Sequence, residues 1–487
     1  MMRMSPLFPA LASAAAKPAI RFGDQILSYD DLREEAGALA RRLAGQERAA
    51  VWATPTRETA VAAVAALLAG VPLIPVNPKI GTGELDHILG DSTPSALLAP
   101  AGAKLPPALA ALPRIGSGAG ADGAPDDPAT GADLPDVDAE RPALIVYTSG
   151  TTGPPKGVVL SHRAVASTLD ALADAWQWTE RDIVVHGLPL FHVHGLVLGV
   201  LGPLRRGGTV RHLGRFSPEG VREALAGDGT MLFGVPTMYH RLAETAATDE
   251  RLAAALAGAR LLVSGSAPLP LPDHERILAF TGRRVIERYG MTETMMNTSV
   301  RSDGPPATGT VGVPLPGVEV RLVDDAGAPI TGDDGETVGE IQVRGPNLFT
   351  EYLNRPEATA EAFDGSWFRT GDMAIRDTEG CYRIVGRKST DIIKSGGYKI
   401  GAGEIENVLL SHPGVAEAAV TAAPDPDLGE RIIAWIVPRD AGSQPSPQDL
   451  TDHVAGQLAT HKRPREVRFL SALPRNDMGK VLKRELT

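Results

Sequence analysis

The stretch ALIVYTSGTTGPPKG, residues 143–157, sets a short apolar run directly against a loop of glycines, hydroxyls and one lysine. Ala143 to Val146 reads as a buried strand, and it ends in a loop that carries Thr148, Ser149, Thr151, Thr152 and Lys156. Glycine lets backbone N–H groups converge, hydroxyls add donors and lysine adds charge, so such a loop is suited to a phosphate. It is not a Walker loop. Pro155 rather than Gly precedes Lys156, and Gly157 rather than Ser or Thr follows it. The expectation is a hydroxyl-rich flap over a triphosphate; the alternative is an ordinary surface turn, for which the same residues are common.

Outward from this stretch the chain alternates apolar strands with helical segments. RETAVAAVAALLAG (57–70) reads as a helix ending at Gly70 and leading into the strand VPLIPV. Further strands are expected at DIVVHG, TMLFGV, ARLLVSG and RRVIERYG. The alternation predicts an α/β fold with a largely parallel sheet, whose ligands gather at the carboxyl ends of the strands. Loops after residues 147, 187, 264 and 289 are then placed to line one site. Residues 116–136 are rich in Gly, Ala, Asp and Pro without periodicity and predict an exposed, mobile loop. From 310 to 387 shorter strands and turns predict an antiparallel or barrel-like subdomain. Beyond Arg387, GAGEIENVLLSH and RIIAWIVP indicate a separate small α+β unit. The expected division is 1–387 for a large N-terminal domain of α/β layers plus a β-barrel-like subdomain, and 388–487 for a small mobile α+β domain.

At 487 residues the chain is too long for a single core. Its formal charge of −11 argues against nucleic-acid or anionic-membrane partners, which require a basic surface. The one cysteine forms no internal disulfide and no zinc pattern, so a reducing cytoplasm is the expected compartment. The first residues lack the continuous apolar core of a signal peptide, and no run approaches the ~20 apolar residues that cross a bilayer.

Four more stretches are suited to a nucleotide and an acid. In YGMTET (289–294), Tyr289 offers a flat face for a base, Thr292 a hydroxyl and Glu293 a hard oxygen for Mg2+; an ordinary helix start capped by Thr292 is the alternative. In GSWFRTGDMA, Asp372 is suited to a ribose diol. GRKSTDIIKSGGYKIGAGEIE (386–406) contains Gly396 and Gly397, where a ligand can approach the backbone. PRNDMGKVLKREL ends the chain on a basic segment around Lys480, for which a solvated tail is the default.

These stretches, in this order, resemble the adenylate-forming family of acyl-CoA synthetases, nonribosomal-peptide adenylation domains and beetle luciferases. The resemblance runs from about residue 20 to the end. It implies ATP-dependent activation of a carboxylate as an acyl-adenylate, with release of pyrophosphate, followed by transfer to coenzyme A and release of AMP. It implies that Thr148, Ser149, Thr151, Thr152 and Lys156 cover the β- and γ-phosphates, and that Gly265, Ser266, Ala267 and Tyr289 enclose the adenine. Thr292 would contact the α-phosphate, Glu293 the Mg2+, and Asp372 with Arg387 the ribose. Lys480 would be the adenylation lysine. Ser395, Gly396 and Gly397 would form the loop on the coenzyme A side after the C-terminal domain rotates about a hinge at Lys388 or Ser389. The context of Lys480 also resembles a lysine-acylation motif, which implies a lysine acyltransferase as a further partner.

The acid is read from LPLFHVHGL (188–196) and ERYG (287–290). The first lacks the Asp with which amino-acid-activating relatives pair an α-amino group. In the second, Arg288 precedes Tyr289, so if Tyr289 faces the nucleotide its neighbour faces the acyl pocket. A buried arginine there calls for an anion, which a second substrate carboxylate supplies. A salt bridge to a structural Glu or Asp is the alternative. His194 is a further donor to the same carboxylate, and His192 with His194 is too sparse for zinc. Similarity to malonyl-CoA synthetases in length and in ERYGMTET implies malonate, with methylmalonate open beside it. The alternatives are another small or aromatic acid and a carrier-protein acceptor. A silent nucleotide-binding scaffold has no need of Lys156, Glu293, Asp372, Arg387 and Lys480 together.

Overall fold

The computed structural model describes residues 7–12, 16–116, 136–148, 154–388, 391–440, 442, 444–475 and 481–486. The Gly/Ala/Asp/Pro segment lies almost wholly outside the described residues. All structural statements below refer to those residues.

Two sheets form the larger body. One has nine strands in the order Val313–Pro314, Thr298–Ser299, Val285–Tyr289, Leu261–Ser264, Met231–Gly234, Ile183–His186, Thr209–His212, Pro18–Phe22 and Gln25–Ser28, with the six from Val285–Tyr289 to Pro18–Phe22 parallel. The other has seven, in the order Glu351–Tyr352, Lys156–Ser161, Pro142–Thr148, Leu73–Val76, Ala49–Trp52, Ala96–Ala99 and Arg114–Gly116. Each strand expected after residue 140 is present, but the strand ending at Thr148 belongs to the seven-stranded sheet while those ending at His186, Ser264 and Tyr289 belong to the nine-stranded one. The candidate loops therefore come from two sheets.

The helix Arg57–Leu68 explains much of the alanine content. It touches strands of both sheets and is buried from Thr59 to Leu68, so no face of it is left for polar residues. Small side chains let the two layers close on it. Gly70 follows at φ +65°, a left-handed conformation that ends the helix and turns the chain into Leu73–Val76.

The region from 319 to 387 forms a five-stranded antiparallel sheet in which the long strand Trp367–Arg376 pairs with Gly339–Arg344, Phe363–Asp364 and Tyr382–Arg387. The pairing path is open rather than a closed barrel. A last five-stranded sheet, drawn from residues 392–469, packs with the helices Ala402–Ser411 and Pro447–Gln457 around its own core of Ile393, Ile400, Ile405, Leu409, Ile432 and Ile436. The fold is thus mixed α/β with a large N-terminal and a small C-terminal part. No helix is long and apolar enough to cross a membrane.

Candidate active site

The phosphate-loop candidate is flanked by two paired strands. Pro142–Thr148 and Lys156–Ser161 run antiparallel with Thr148 opposite Lys156. A Walker loop leads into a helix, whereas Lys156 here opens a strand, so the backbone reinforces what the missing Gly-Lys-Thr ending indicated. Ser149, Thr151 and Thr152 lie outside the described residues. The base of the hairpin is held by Tyr147, whose hydroxyl donates to Asp91 at 2.8 Å, and by His87, whose Nε2 lies 2.8 Å from the Pro155 carbonyl.

Lys156 points its ammonium at the face of Tyr352, 4.7 Å from the ring centroid. The Tyr352 hydroxyl donates to Glu293 Oε1 at 2.9 Å. Glu293 is buried, and burial raises its pKa against the pull of the Tyr352 bond and of the Arg387 and Lys156 charges. Thr292 and Glu293 sit in a single 3-10 turn, Thr292–Thr294, with no side-chain cap, so the capped-helix alternative does not apply. The turn is braced from behind. Asn347, fully buried, donates from Nδ2 to the carbonyls of Thr294 (2.6 Å) and Met296 (3.2 Å), and Phe349 N–H donates to the Glu293 carbonyl. Gly290 is required beside it, because a β-carbon there would run into the Met295 carbonyl.

Tyr289 donates its hydroxyl to Asp372 Oδ2 at 2.6 Å, and Arg387 Nε lies 2.8 Å from Asp372 Oδ1. The last two face each other across paired strands, Asp372 opposite Arg387. Burial, then the Asp372 carboxylate, pushes the Tyr289 pKa up, which keeps the phenol protonated as a donor. The three residues expected around the nucleoside thus form one hydrogen-bonded chain.

Arg288 alternates to the other side of its strand. Its guanidinium is buried, with the residue 4% exposed, and neither Nε nor Nη2 has a hydrogen-bond partner among the described residues. The acid next to it is spoken for: Glu287 accepts from the Leu269 N–H at 2.9 Å and lies 2.9 Å from His274 Nε2. No carboxylate pairs with Arg288, so the structural salt bridge offered as its alternative is absent among the described residues. Burial lowers its pKa to about 10, which leaves it charged at neutral pH. His194 begins the π-helical segment His194–Leu201 and is buried; its Nδ1 lies 3.4 Å from Ser266 Oγ and its Nε2 has no partner. Burial, then the charge of Arg288, holds His194 neutral. No metal-binding cluster of His, Cys, Asp or Glu is found among the described residues.

Gly265 and Ser266 follow Leu261–Ser264, and Ser266 adopts a left-handed φ of +74°. Ser395 ends Ile392–Ser395 and Tyr398 opens Tyr398–Gly401, so Gly396 (φ +60°) and Gly397 (φ +84°) form a two-residue hairpin turn that needs both glycines. That geometry by itself accounts for the pair. Lys388 remains tied to the larger body, its N–H to the Gly371 carbonyl and its ammonium to Glu340 at 2.7 Å; Ser389 and Lys480 lie outside the described residues. Tyr352 and Asn347 were missed by sequence reading. Neither stands in a motif, and only the strand pairing of Glu351–Tyr352 with Lys156–Ser161 brings Tyr352 to the turn.

The chain as a whole is similar to known proteins. The model of the AMP-binding enzyme family matches residues 9–353, and that of the AMP-binding enzyme C-terminal domain matches residues 404–480. The chain belongs to the AMP-binding enzymes. It is 40% identical over 486 residues to a probable CoA ligase of Humulus lupulus, covering 91% of this chain and 79% of the relative. It is 37% identical over 488 residues to a mitochondrial malonate–CoA ligase of Bos taurus, covering 91% and 81%. A solved malonyl-CoA ligase, described as a ternary product complex with methylmalonyl-CoA and AMP, shares 66% identity with a TM-score of 0.74 over 96% of this chain and all of that one. The chain is an AMP-forming acid–thiol ligase that uses ATP and coenzyme A. The expected acyltransferase acting on Lys480 is not borne out by these relatives.

Proposed function

We propose that this enzyme joins malonate, and also methylmalonate, to coenzyme A through an acyl-adenylate. The observation that carries the reading is Arg288: a buried cation with two unpartnered donors, on the strand that also supplies Tyr289, with His194 beside it. A monocarboxylic acid leaves that buried charge uncompensated, whereas the distal carboxylate of malonate satisfies it. Neutral His194 in its Nε2–H form, with Nδ1 accepting from Ser266, adds a second donor to the same oxygens. The names of the relatives point the same way.

Anchored at the distal end, malonate turns its other carboxylate toward the α-phosphorus of ATP. That carboxylate is the nucleophile, so no general base is needed; a C–O–P bond forms as the bond to pyrophosphate breaks. Asp372, with one oxygen on Tyr289 and the other on Arg387, keeps lone pairs for the ribose hydroxyls and fixes the sugar. Lys156 carries its charge to the leaving phosphates. Glu293 fits the role of a single protein carboxylate for Mg2+, being buried and near its turn's backbone, with the phosphates supplying the remaining oxygens. When bound there, the ion neutralises charge on the phosphate oxygens. Thr292 is assigned to the α-phosphate, and Lys480 to the oxygens where charge gathers in the transition state. In the second step the coenzyme A thiolate attacks the acyl carbon and AMP departs, with the Ser395–Gly397 hairpin assigned to the thiol side. The boundary between domains is placed after Arg387, and the lone cysteine supports a cytoplasmic setting.

The test is pyrophosphate release with acetate, malonate, methylmalonate, succinate and benzoate, with and without coenzyme A. Malonate and methylmalonate are expected to lead, with thioester formed only when coenzyme A is present. Equal rates with acetate would overturn the dicarboxylate reading, and adenylation without free thioester would replace coenzyme A with a carrier protein.

A further inference from the structure

We infer that Gly265 is a specificity-determining residue, whose missing side chain is the space in which the Arg288 guanidinium lies. The inference rests on the dicarboxylate reading and extends it to a second position. A β-carbon built on Gly265 falls 2.5 Å from Arg288 Nη1 and 2.7 Å from Nε, and closer still to Cζ. Those distances are well inside van der Waals contact, and the flat guanidinium lies directly over the glycine backbone. The φ of Gly265 is not left-handed, so its conformation does not demand glycine; the neighbouring arginine does. The strands Leu261–Ser264 and Val285–Tyr289 are adjacent and parallel, and Ser264 opposite Glu287 is the last pair of their ladder, so Gly265 and Arg288 each stand one residue beyond it.

The clash is with the far end of a long side chain. Alanine at 265 therefore leaves the backbone in place and moves the guanidinium instead. The guanidinium is buried and close enough for its charge to act on His194, so its room for alternative positions is small. A shift of about 1 Å in such an anchor costs on the order of a hundredfold in rate, because the distal carboxylate no longer holds its partner at the phosphorus. A role for Gly265 confined to enclosing adenine predicts something different: loss shared equally by all acids and expressed in the KM for ATP.

The experiment measures kcat/KM for malonate and for propionate, the KM for ATP, and the melting temperature for wild type, Gly265→Ala, Arg288→Met and the double variant. Gly265→Ala is expected to lower malonate kcat/KM by about a hundredfold, and to lower propionate kcat/KM at least about tenfold less than that, with the ATP KM moved by no more than about twofold. In the Arg288→Met background the same alanine is expected to cost less than about threefold, since the group it displaces is gone; that non-additivity is the signature of the coupling. If Gly265→Ala is unstable, recovery of folding in the double variant supports the same contact. Malonate kcat/KM retained in Gly265→Ala, or equal loss for malonate and propionate with a raised ATP KM, overturns the inference. If Arg288→Met itself keeps full malonate activity, the dicarboxylate reading fails first, so the two failures are told apart.

Discussion

Arg288→Met separates the two things this arginine does. The Arg288 guanidinium, 4% exposed, has two nitrogens without partners, and burial lowers its pKa to about 10. At ~1.36 kcal/mol per unit, that depression corresponds to about 3 kcal/mol of unfavourable solvation for the charged form. Methionine has similar length and carries no charge, and replacing buried ionic groups with packed apolar ones is neutral or stabilising by ~1–4 kcal/mol. The variant is thus expected to melt higher than wild type by a few degrees in the absence of acid. It is also expected to lose malonate kcat/KM by roughly 10²–10³, the equivalent of one to two charge-assisted hydrogen bonds at ~1.5–3 kcal/mol each. Thermal melts with and without malonate, beside pyrophosphate-release kinetics, read both effects. Malonate is expected to raise the melting temperature of wild type in the presence of ATP and to leave that of the variant unmoved. A variant that is destabilised without ligand, yet still protected by malonate, would show that Arg288 is a structural residue and refute the reasoning.

Other consequences follow from the remaining contacts. Tyr352→Phe removes the hydroxyl on Glu293 and keeps the ring beneath Lys156, so adenylation is expected to slow by about tenfold, with the Mg2+ requirement shifted to higher concentration; an unchanged Mg2+ titration counts against Glu293 as its ligand. Asp372→Asn weakens acceptance from the ribose hydroxyls and its pairing with Arg387, and is expected to raise the ATP KM by at least about tenfold with little effect on the preference between acids. His162 and His212 are buried, and burial lowers both to a pKa of about 4 from 6.5. Below pH 6.5 the unfolded chain takes up protons that the folded chain refuses until about pH 4. Their contribution is therefore complete above pH 6.5 and is lost as the pH falls toward 4, by up to ~3 kcal/mol for each. Denaturant midpoints measured between pH 7.5 and 4.5 should fall accordingly, and His162→Leu, whose ring nitrogens have no partners, should flatten that slope.

The strands were legible because each is a short apolar run punctuated by glycine or a polar loop, and the helix 57–68 was legible because its run of alanine and leucine favours helix and Gly70 closes it, although burial on every face erases its periodicity. What the sequence left open was which strands share a sheet. The hairpin of Lys156 and the strand of Tyr289 look alike as runs of residues, yet long-range pairing puts them in different layers. Distances across that gap carry the site: Tyr352 lies 59 positions from Glu293 and 83 separate Tyr289 from Asp372, and nothing local announces either bond. The adjacent order of Arg288 and Tyr289 was informative for a simpler reason. Strand alternation sends neighbours to opposite faces, so a residue assigned to the nucleotide assigns its neighbour to the other side without any knowledge of what lies there.

The same alternation shows why one strand suffices to join the two halves of the chemistry. Glu287 is consumed in holding the loop after Ser264 through the Leu269 N–H; Arg288 reaches over Gly265 at the start of that loop; Tyr289 reaches out to Asp372 in another sheet. Three consecutive side chains thereby tie together the loop, the proposed anchor for the acid's distal carboxylate and the proposed ribose clamp. A backbone shift at Val285–Tyr289 would move all three, whereas exchanging only the middle residue alters the acid and leaves the nucleotide frame standing. A family that keeps one adenylation reaction while varying its acids is expected to vary at positions 288 and 265 together, because the volume occupied by the first is the volume vacated by the second.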